Sequence, residues 1–401
     1  MTVVVVAVSA LVLVPVAALA LYQWVLAIAT LWPLRGRPRT AAGHRRRLVV
    51  LIPAHNEEAT IALTLASLQH LAYPAELVRV VVIADRCDDD TVAITRRAGV
   101  DCFERQDGAA GKGAAIAWAI DRLLQRDAPF DGVVIVDADT IVHPGALAAF
   151  ADRLAAGHDA QQGYNYLSNP WETPFTRLIA VTSVLRNGLF YQGKERLGLP
   201  AMLSGTGMCF SRALLAEHGW NAFSVGEDWE FSVSLLLAGR DVHFNSRARV
   251  MARESRGFGQ ASSQRLRWAS GRHAVAATGA SQLFRRGMRT RRIGLCDAAL
   301  TIVAPTYSVQ ASVAVACLAA GWLLPPGAAS HLLTAGATIV AAALTAYFLL
   351  GVALTESPLN ALAGIILIPA FLPWRLVIEF LGLAGFGRKR WVRTTRPAPG
   401  A

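Results

Sequence analysis

Leu48-Val-Val-Leu-Ile-Pro-Ala-His-Asn-Glu57 decides the fold. Its first five residues are all apolar, so they read as a strand buried on both faces; a half-exposed strand would alternate. The run breaks at Pro53 and delivers His55, Asn56 and Glu57. Residues 57–70 read as a helix with Asn56 as its N-cap. The figure repeats downstream. A strand over 79–84 ends at Asp85, a helix covers 112–126, and a strand over 132–136 ends at Asp137-Ala-Asp139. Continuous Val/Ile strands separated by helices predict an α/β domain with a mainly parallel sheet covered on both faces. In such sheets ligands bind beyond the carboxyl ends of the strands, where these polar residues cluster.

Around this domain the chain is apolar. Of 401 residues, 54% are hydrophobic and 17% charged, against roughly 25% charged in soluble domains. Mean hydropathy is +0.38. These values exclude a disordered chain, a coiled coil and a wholly soluble enzyme. Residues 2–34 carry no charge, and about 20 residues suffice to cross the hydrocarbon core. A cleaved signal peptide with Ala18-Leu-Ala20 as its site is the competing reading, but the run is too long and no basic segment precedes it. Arg35, Arg37, Arg39, Arg45, Arg46 and Arg47 follow, which places this flank in the cytoplasm and the N-terminus outside.

The uncharged residues 298–355 predict two spans with a turn at Pro325-Pro-Gly327. Residues 357–386 are apolar but interrupted by Pro369, Pro373, Arg375 and Glu379. A full span there would carry Arg388, Lys389, Arg390, Arg393 and Arg396 outside, so 358–385 reads as a re-entrant or interfacial helix. The predicted organisation is an N-terminal span over 1–34, a basic linker over 35–47 and the α/β domain over 48–255. Acceptor-side and interfacial helices follow over 256–297, two spans over 298–355, and the re-entrant or interfacial helix with a basic tail over 356–401. Lys plus Arg exceed Asp plus Glu by 11. Much of that excess is juxtamembrane, including a basic stretch over 283–292 suited to headgroups. It implies membrane lipids as partners and no nucleic acid, because no basic patch interleaves with aromatics in the soluble part. Five cysteines without paired spacing fit a reducing compartment.

Asp137 and Asp139 stand two residues apart, so at a strand end both carboxylates face one side and suit a hard divalent cation beside a diphosphate. Lys112, in Gly111-Lys-Gly113, opens a helix, a place that favours phosphate or is simply solvated. Glu227-Asp228 precedes an apolar helix over 229–238 and reads either as a helix-start acid or as a general base. In Gln264-Arg-Leu-Arg-Trp268, helical spacing puts Gln264, Arg267 and Trp268 on one face with Arg265 elsewhere. Arg pairs with a diphosphate and Trp packs on a sugar ring, or the helix is a membrane-surface anchor.

Taken in order, these motifs resemble the membrane-bound family-2 glycosyltransferases, the group of hyaluronan, chitin-oligosaccharide, poly-N-acetylglucosamine and cellulose synthases and, more distantly, ceramide glucosyltransferase. The resemblance runs from about residue 48 to 396. It implies a GT-A fold, a nucleotide-diphosphate sugar donor with UDP as the nucleotide, Mg²⁺ or Mn²⁺, and an inverting single displacement. It further implies that Pro53, His55 and Glu57 open the nucleotide site and that Asp85 recognises uracil. Lys112 lies near the phosphates, and Asp139 with Asp137 binds the metal. Gly205-Thr-Gly207 flanks the acceptor, and Asp228 beside Glu227 is the base. Gln264, Arg265, Arg267 and Trp268 hold the diphosphate and the acceptor terminus. Trp391-Val-Arg-Thr394 resembles the closing element. His55 replaces the usual aromatic or Thr, and Gly226 replaces the usual Thr, which weakens a processive reading.

The implied activity is extension of a glycan, or glycosylation of a lipid, at the cytoplasmic face of a bacterial inner membrane; 36 Arg against three Lys fits a bacterial source. With so few spans, a homo-oligomer or an export partner would help complete a channel. Transfer of one sugar to a lipid acceptor is the rival version. A non-catalytic adaptor that binds nucleotide sugar is the rival class, and a transporter ranks last because the spans lack polar pathway residues.

Overall fold

The computed structural model describes residues 2–32, 45–125 and 129–387. A long helix α1 (Thr2–Leu31) precedes the α/β domain. The domain runs β1 (Leu48–Ala54), α2 (Ile61–Gln69), β2 (Val78–Asp85), α3 (Thr91–Arg97), β3 (Asp101–Arg105), α4 (Lys112–Gln125), β4 (Gly132–Ile135) and β5 (Thr140–Val142). It continues with α5 (Ala146–Ala155), β6 (Ala160–Leu167), α6 (Pro174–Ser183), α7 (Gln192–Arg196), β7 (Met208–Ser211), α8 (Arg212–His218), α9 (Glu227–Leu237) and β8 (Val242–Ala252). The helical remainder is α10 (Phe258–Thr290), α11 (Ile293–Val303), α12 (Tyr307–Leu323), α13 (Ala328–Ala353), α14 (Pro358–Leu362) and α15 (Ile368–Leu383).

The eight strands form one sheet in the order β3-β2-β1-β4-β7-β6-β8-β5. The first four are parallel, with Leu48 opposite both Val78 and Gly132. Alternate residues serve two cores. Val49, Leu51, Val81 and Ile83 pack with Ile116 of α4 and Phe231 of α9. Val50, Ile52 and Val82 pack with Leu65 of α2 and Phe150 of α5. Burial on both faces is why these strands are unbroken Val/Ile runs. Beyond β4 the sheet turns mixed: β7 is antiparallel to β4 and β6, β5 is antiparallel to β8, and β6 and β8 are parallel.

One local expectation is corrected. Helix α2 starts at Ile61, not residue 57, and its N-cap position is Thr60, not Asn56. Asn56 instead has φ 56°, and its side chain accepts the Asp88 N–H at 2.9 Å. It therefore ties the first strand's exit to the second's. The uncharged residues 298–355 hold the end of α11 plus α12 and α13. Pro305 lies in the break between α11 and α12, which are bent by 67°, and 17-residue α12 is short of a crossing alone.

The turn at Pro325-Pro-Gly327 separates α12 from α13, as expected. Helix α1, helix α13 and the unit Pro358–Leu383 are each long and apolar enough to cross a membrane, and the bent pair would make a fourth. Residues 283–290 of the basic stretch form the last turns of α10. Arg35, Arg37, Arg39, Trp391-Val-Arg-Thr394 and the basic tail lie outside the described residues.

The apolar helices are fastened to α10 and to the α/β domain at defined points. Glu379 of α15 accepts from Arg375 at 2.7 Å and from Arg272 of α10, and His273 Nε2 lies 3.2 Å away. Trp374 Nε1 donates to Ser262 Oγ at 2.9 Å. Helix α1 crosses α7 backbone to backbone at Gly193, where an added Cβ would stand 2.3 Å from the Leu26 carbonyl oxygen. Gly193→Ala must push the helices apart. We expect it to cost about 1–3 kcal/mol, as overpacked sites do, seen as a lowered Tm in thermal unfolding of the purified protein; an unchanged Tm would mean the crossing is looser than described.

Candidate active site

The carboxyl ends of β1, β2 and β4 converge with the N-termini of α4 and α9 and with the first turns of α10. Lys112 is the hub. Its Nζ lies 2.6 Å from Asp137 Oδ1 and 3.6 Å from Glu227 Oε1, and it donates to the Gly205 carbonyl at 2.7 Å. Burial alone would pull this ammonium's pKa down; Asp137 and Glu227 more than offset it and hold the pKa above the usual lysine value.

The turn over 204–207 needs glycine at 205 and 207, where φ is +82° and +64°. A Cβ at Gly205 would approach Asp228 Oδ2 and Lys112 Nζ at 3.6 Å each. Between the glycines, Thr206 Oγ1 accepts the Asp137 N–H at 3.0 Å and lies 3.1 Å from Thr140 Oγ1. Thr206 thus orients the β4 exit. This contact with Asp137 joins residues 69 positions apart and is set by the fold.

Glu227 and Asp228 form the first turn of α9. Asp228 Oδ1 accepts the Trp229 N–H at 2.9 Å. Burial pushes the Asp228 carboxyl up to about 7, helped by repulsion from Glu227 and opposed by Lys112. Burial likewise raises Glu227, against the pull of Lys112. A carboxyl poised near neutrality in a half-buried cluster is a group able to take a proton at physiological pH. Gly226, the departure from the usual Thr, has a physical reason: a Cβ there would meet the Gly271 backbone of α10 at 3.2 Å. That close approach sets α9 against the helix carrying Arg267.

In α10, Gln264 is buried and Trp268 is 47% exposed. Arg267 senses the charges of Glu227 and Asp137, which oppose the lowering of its pKa by burial. Arg265 turns away from that cluster, pairs with Glu254 at 2.7 Å and lays its guanidinium 4.8 Å from the Trp268 ring centroid. Helical spacing sets Arg265 apart from Gln264, Arg267 and Trp268; its guanidinium instead reaches over the Trp268 ring.

A second group lies at the ends of β1 and β2. Asp85, only 7% exposed, is held by Arg105 at 2.6 Å and Arg86 at 2.9 Å. His55 Nδ1 is 2.7 Å from the Asp85 carbonyl oxygen. The Glu57 N–H donates to Thr91 Oγ1 at 2.8 Å, and Pro53 lies opposite Ile83 in the β1–β2 ladder. Arg105 was missed by sequence reading because β3 was not recognised as a strand.

Asp137 and Asp139 flank the β4 exit and are both partly exposed. Among the described residues no group of three or more His, Cys, Asp or Glu side chains could hold a metal ion. Two carboxylates nonetheless fit Mg²⁺ or a similar hard cation, which takes one or two from protein and the remaining oxygens from phosphate and water.

A family model described as "Glycosyltransferase like family 2" matches residues 44–271. The "Probable glycosyltransferase YdaM" of Bacillus subtilis is 26% identical over 257 residues, 62% of this chain and 60% of that protein. The "Poly-beta-1,6-N-acetyl-D-glucosamine synthase" of Staphylococcus aureus is 24% identical over 256 residues, 61% of this chain and 59% of that protein. The matched regions thus span about three fifths of the length of these two relatives. A mannosyltransferase from Pyrobaculum calidifontis, PcManGT, solved with GDP-Man and Mn²⁺, is similar with a TM-score of 0.57 at 19% identity, covering 92% of this chain and 99% of that one. At that identity the likeness is one of fold, and the fold is GT-A.

Proposed function

This chain belongs to the family-2 glycosyltransferases, and on that premise we propose that it transfers a sugar from a nucleotide-diphosphate sugar to a glycan or lipid acceptor at the cytoplasmic face of a membrane. The observation that carries the reading is the half-buried Asp228, raised to about 7 beside Lys112, Glu227 and Gly205. Asp228 accepts the proton of the attacking acceptor hydroxyl. The glycosidic bond to the diphosphate breaks as the new one forms from the opposite face, with inversion. Lys112 and Arg267 place positive charge where the diphosphate departs, and Trp268 orients the acceptor ring. Fixed charge and positioning supply most of the acceleration.

Asp139 and Asp137 would hold a Mg²⁺ or Mn²⁺ ion, which when bound neutralises diphosphate charge. Asp85, with His55, Pro53 and Glu57 around it, contacts the nucleotide, and UDP is the nucleotide we propose. An adaptor without catalysis would need no such base. The proposed organisation keeps 48–255 as the transferase domain and 256–297 as its acceptor side. Helix α1 and the helices after residue 298 are the membrane part, with the unit Pro358–Leu383 lying at the interface or re-entering.

Two measurements test this reading. Asp139→Ala should lose the metal-dependent part of nucleotide binding in a titration with and without Mg²⁺; unchanged metal dependence would move the ion elsewhere. Sizing the product by mass spectrometry separates the acceptor versions. A ladder of masses one sugar apart means glycan extension, and a single lipid-sized product means one transfer to a lipid. A mixture with no glycosylated product would contradict both.

A further inference from the structure

A second cleft lies between the β6–β8 strand pair and the apolar helices, apart from the cluster around Lys112. Tyr164 and Tyr166 of β6, Trp171, Ser183 of α6, Arg249 of β8 and Glu356 beyond α13 line it, enclosing about 120 Å³. We propose that this cleft is a saccharide subsite holding a neutral sugar residue of the acceptor glycan, distal to its reacting end. The proposal rests on the transferase reading and names the acceptor as a glycan several residues long.

Four observations carry it. First, the size suits one ring. A single water occupies about 10–15 Å³ on this kind of measure, so the cleft holds a group the size of about ten waters. Second, the walls are aromatic. The Tyr164 and Tyr166 rings stand 6.4 Å apart at 78°, and Trp171 adds a third flat face of the kind on which sugar C–H groups pack. Burial raises Tyr164 to about 12 and raises Tyr166 as well, so both phenols keep their protons and can donate to hydroxyls.

Third, the charges balance. Among the described residues no ion pair joins Arg249 or Glu356 to any partner; the Arg249 guanidinium lies 5.7 Å from the Tyr164 ring centroid. An anionic ligand would face Glu356 and a cationic one Arg249, whereas a neutral polyhydroxyl ligand can donate to the first and accept from the second. Fourth, the cleft shares a strand with the reacting site. Asn165, between the two tyrosines, donates to Ser204 Oγ at 3.0 Å, one residue before Gly205. On the inner side Tyr164 contacts Phe244 at 6.1 Å, and Phe244 stacks on Tyr191 at 5.8 Å, a phenol that feels the Asp228 charge.

The test uses the full chain in lipid nanodiscs and needs no donor. Fluorescently labelled cellotetraose, chitotetraose and a β-1,6-linked N-acetylglucosamine tetrasaccharide are titrated against wild type, Trp171→Ala, Arg249→Gln and Glu356→Gln. We expect saturable binding of at least one tetrasaccharide to wild type, weakened tenfold or more in each variant. Nucleotide-diphosphate release from donor in the absence of acceptor should be unchanged in the variants, and each should keep the wild-type Tm.

No saturable binding to wild type, or binding unaltered in all three variants, would overturn the subsite. Displacement of the tetrasaccharide when phosphatidylethanolamine is added to the nanodiscs, lost in the same variants, would assign the cleft to a zwitterionic headgroup and overturn it too. Because binding is read without donor, a wild type that binds saccharide yet releases no nucleotide diphosphate would sink the transferase reading and leave the site standing.

Discussion

Asp228→Asn is expected to lower sugar transfer by about 10³-fold, inside the range of roughly 10²–10⁴ attributed to a positioned general base, while nucleotide binding stays close to wild type. Asn keeps the shape and can still accept the Trp229 N–H made by Asp228 at 2.9 Å, so the turn that opens α9 is retained. What is lost is the ability to take a proton. The pH dependence sharpens the expectation. The carboxyl is raised to about 7 by burial and by Glu227, and it works only when ionised. Below that pH kcat/KM should therefore fall about tenfold per unit, and above it level off. Asn at 228 should remove this acid limb from whatever residual activity remains. A variant that retains turnover, or a wild-type profile flat between pH 5 and 8, would take the base away from Asp228.

The second large effect concerns stability. Lys194 of α7 is 0% exposed and its Nζ lies 2.8 Å from Asp297 Oδ2 of α11 and 2.8 Å from Thr301 Oγ1. The Tyr22 hydroxyl of α1 donates to the same Asp297 carboxylate. Three elements far apart in sequence thus meet on one buried ion pair. Lys194→Met fills similar volume but leaves the 7% exposed Asp297 carboxylate without its cation. Breaking a buried pair by removing one partner costs about 3–5 kcal/mol, so a large drop in Tm is expected. Adding Asp297→Leu removes the stranded charge, and the double variant should recover most of the loss, because well-packed apolar replacements of buried pairs are often neutral. A single variant as stable as wild type would mean water reaches the pair.

How far the fold was legible follows from where the information lies. The strands β1, β2 and β4 announce themselves because burial on both faces demands unbroken apolar runs. Strand β6 does not: Gln161 and Gln162 are buried within it, and their amides donate to the Phe150 carbonyl at 3.2 Å and the Thr206 carbonyl at 3.0 Å. Polar residues satisfied by distant partners look like loop to a local reading, so the mixed half of the sheet stayed hidden. Asn56 has the chemistry of an N-cap but spends it on Asp88, 32 residues away. The break at Pro305 was visible as a residue, but its 67° bend between α11 and α12 depends on packing.

The candidate site divides the same way. Asp137, Asp139, Lys112, Asp228 and Arg267 could be singled out from residue type and position beside predicted strands and helices. The direct contact of Lys112 with Asp137 at 2.6 Å could not, since 25 residues separate them. Nor could the reason for Gly226, which is the backbone of Gly271 on another helix. Pair contacts across elements are set by the fold as a whole, and single positions advertise them poorly.

The central claim is that this chain breaks the bond between a sugar and a nucleotide diphosphate at a site built on Asp228. Its most direct test is release of nucleotide diphosphate by the purified protein in lipid, with each common UDP and GDP sugar supplied in turn with Mg²⁺ or Mn²⁺, wild type beside Asp228→Asn. Metal-dependent release from one donor, coupled to a glycosylated product and lost in the variant, is the predicted result. Binding of donor without release from any of them, by wild type and variant alike, would contradict the account and point to a protein that senses nucleotide sugar without consuming it.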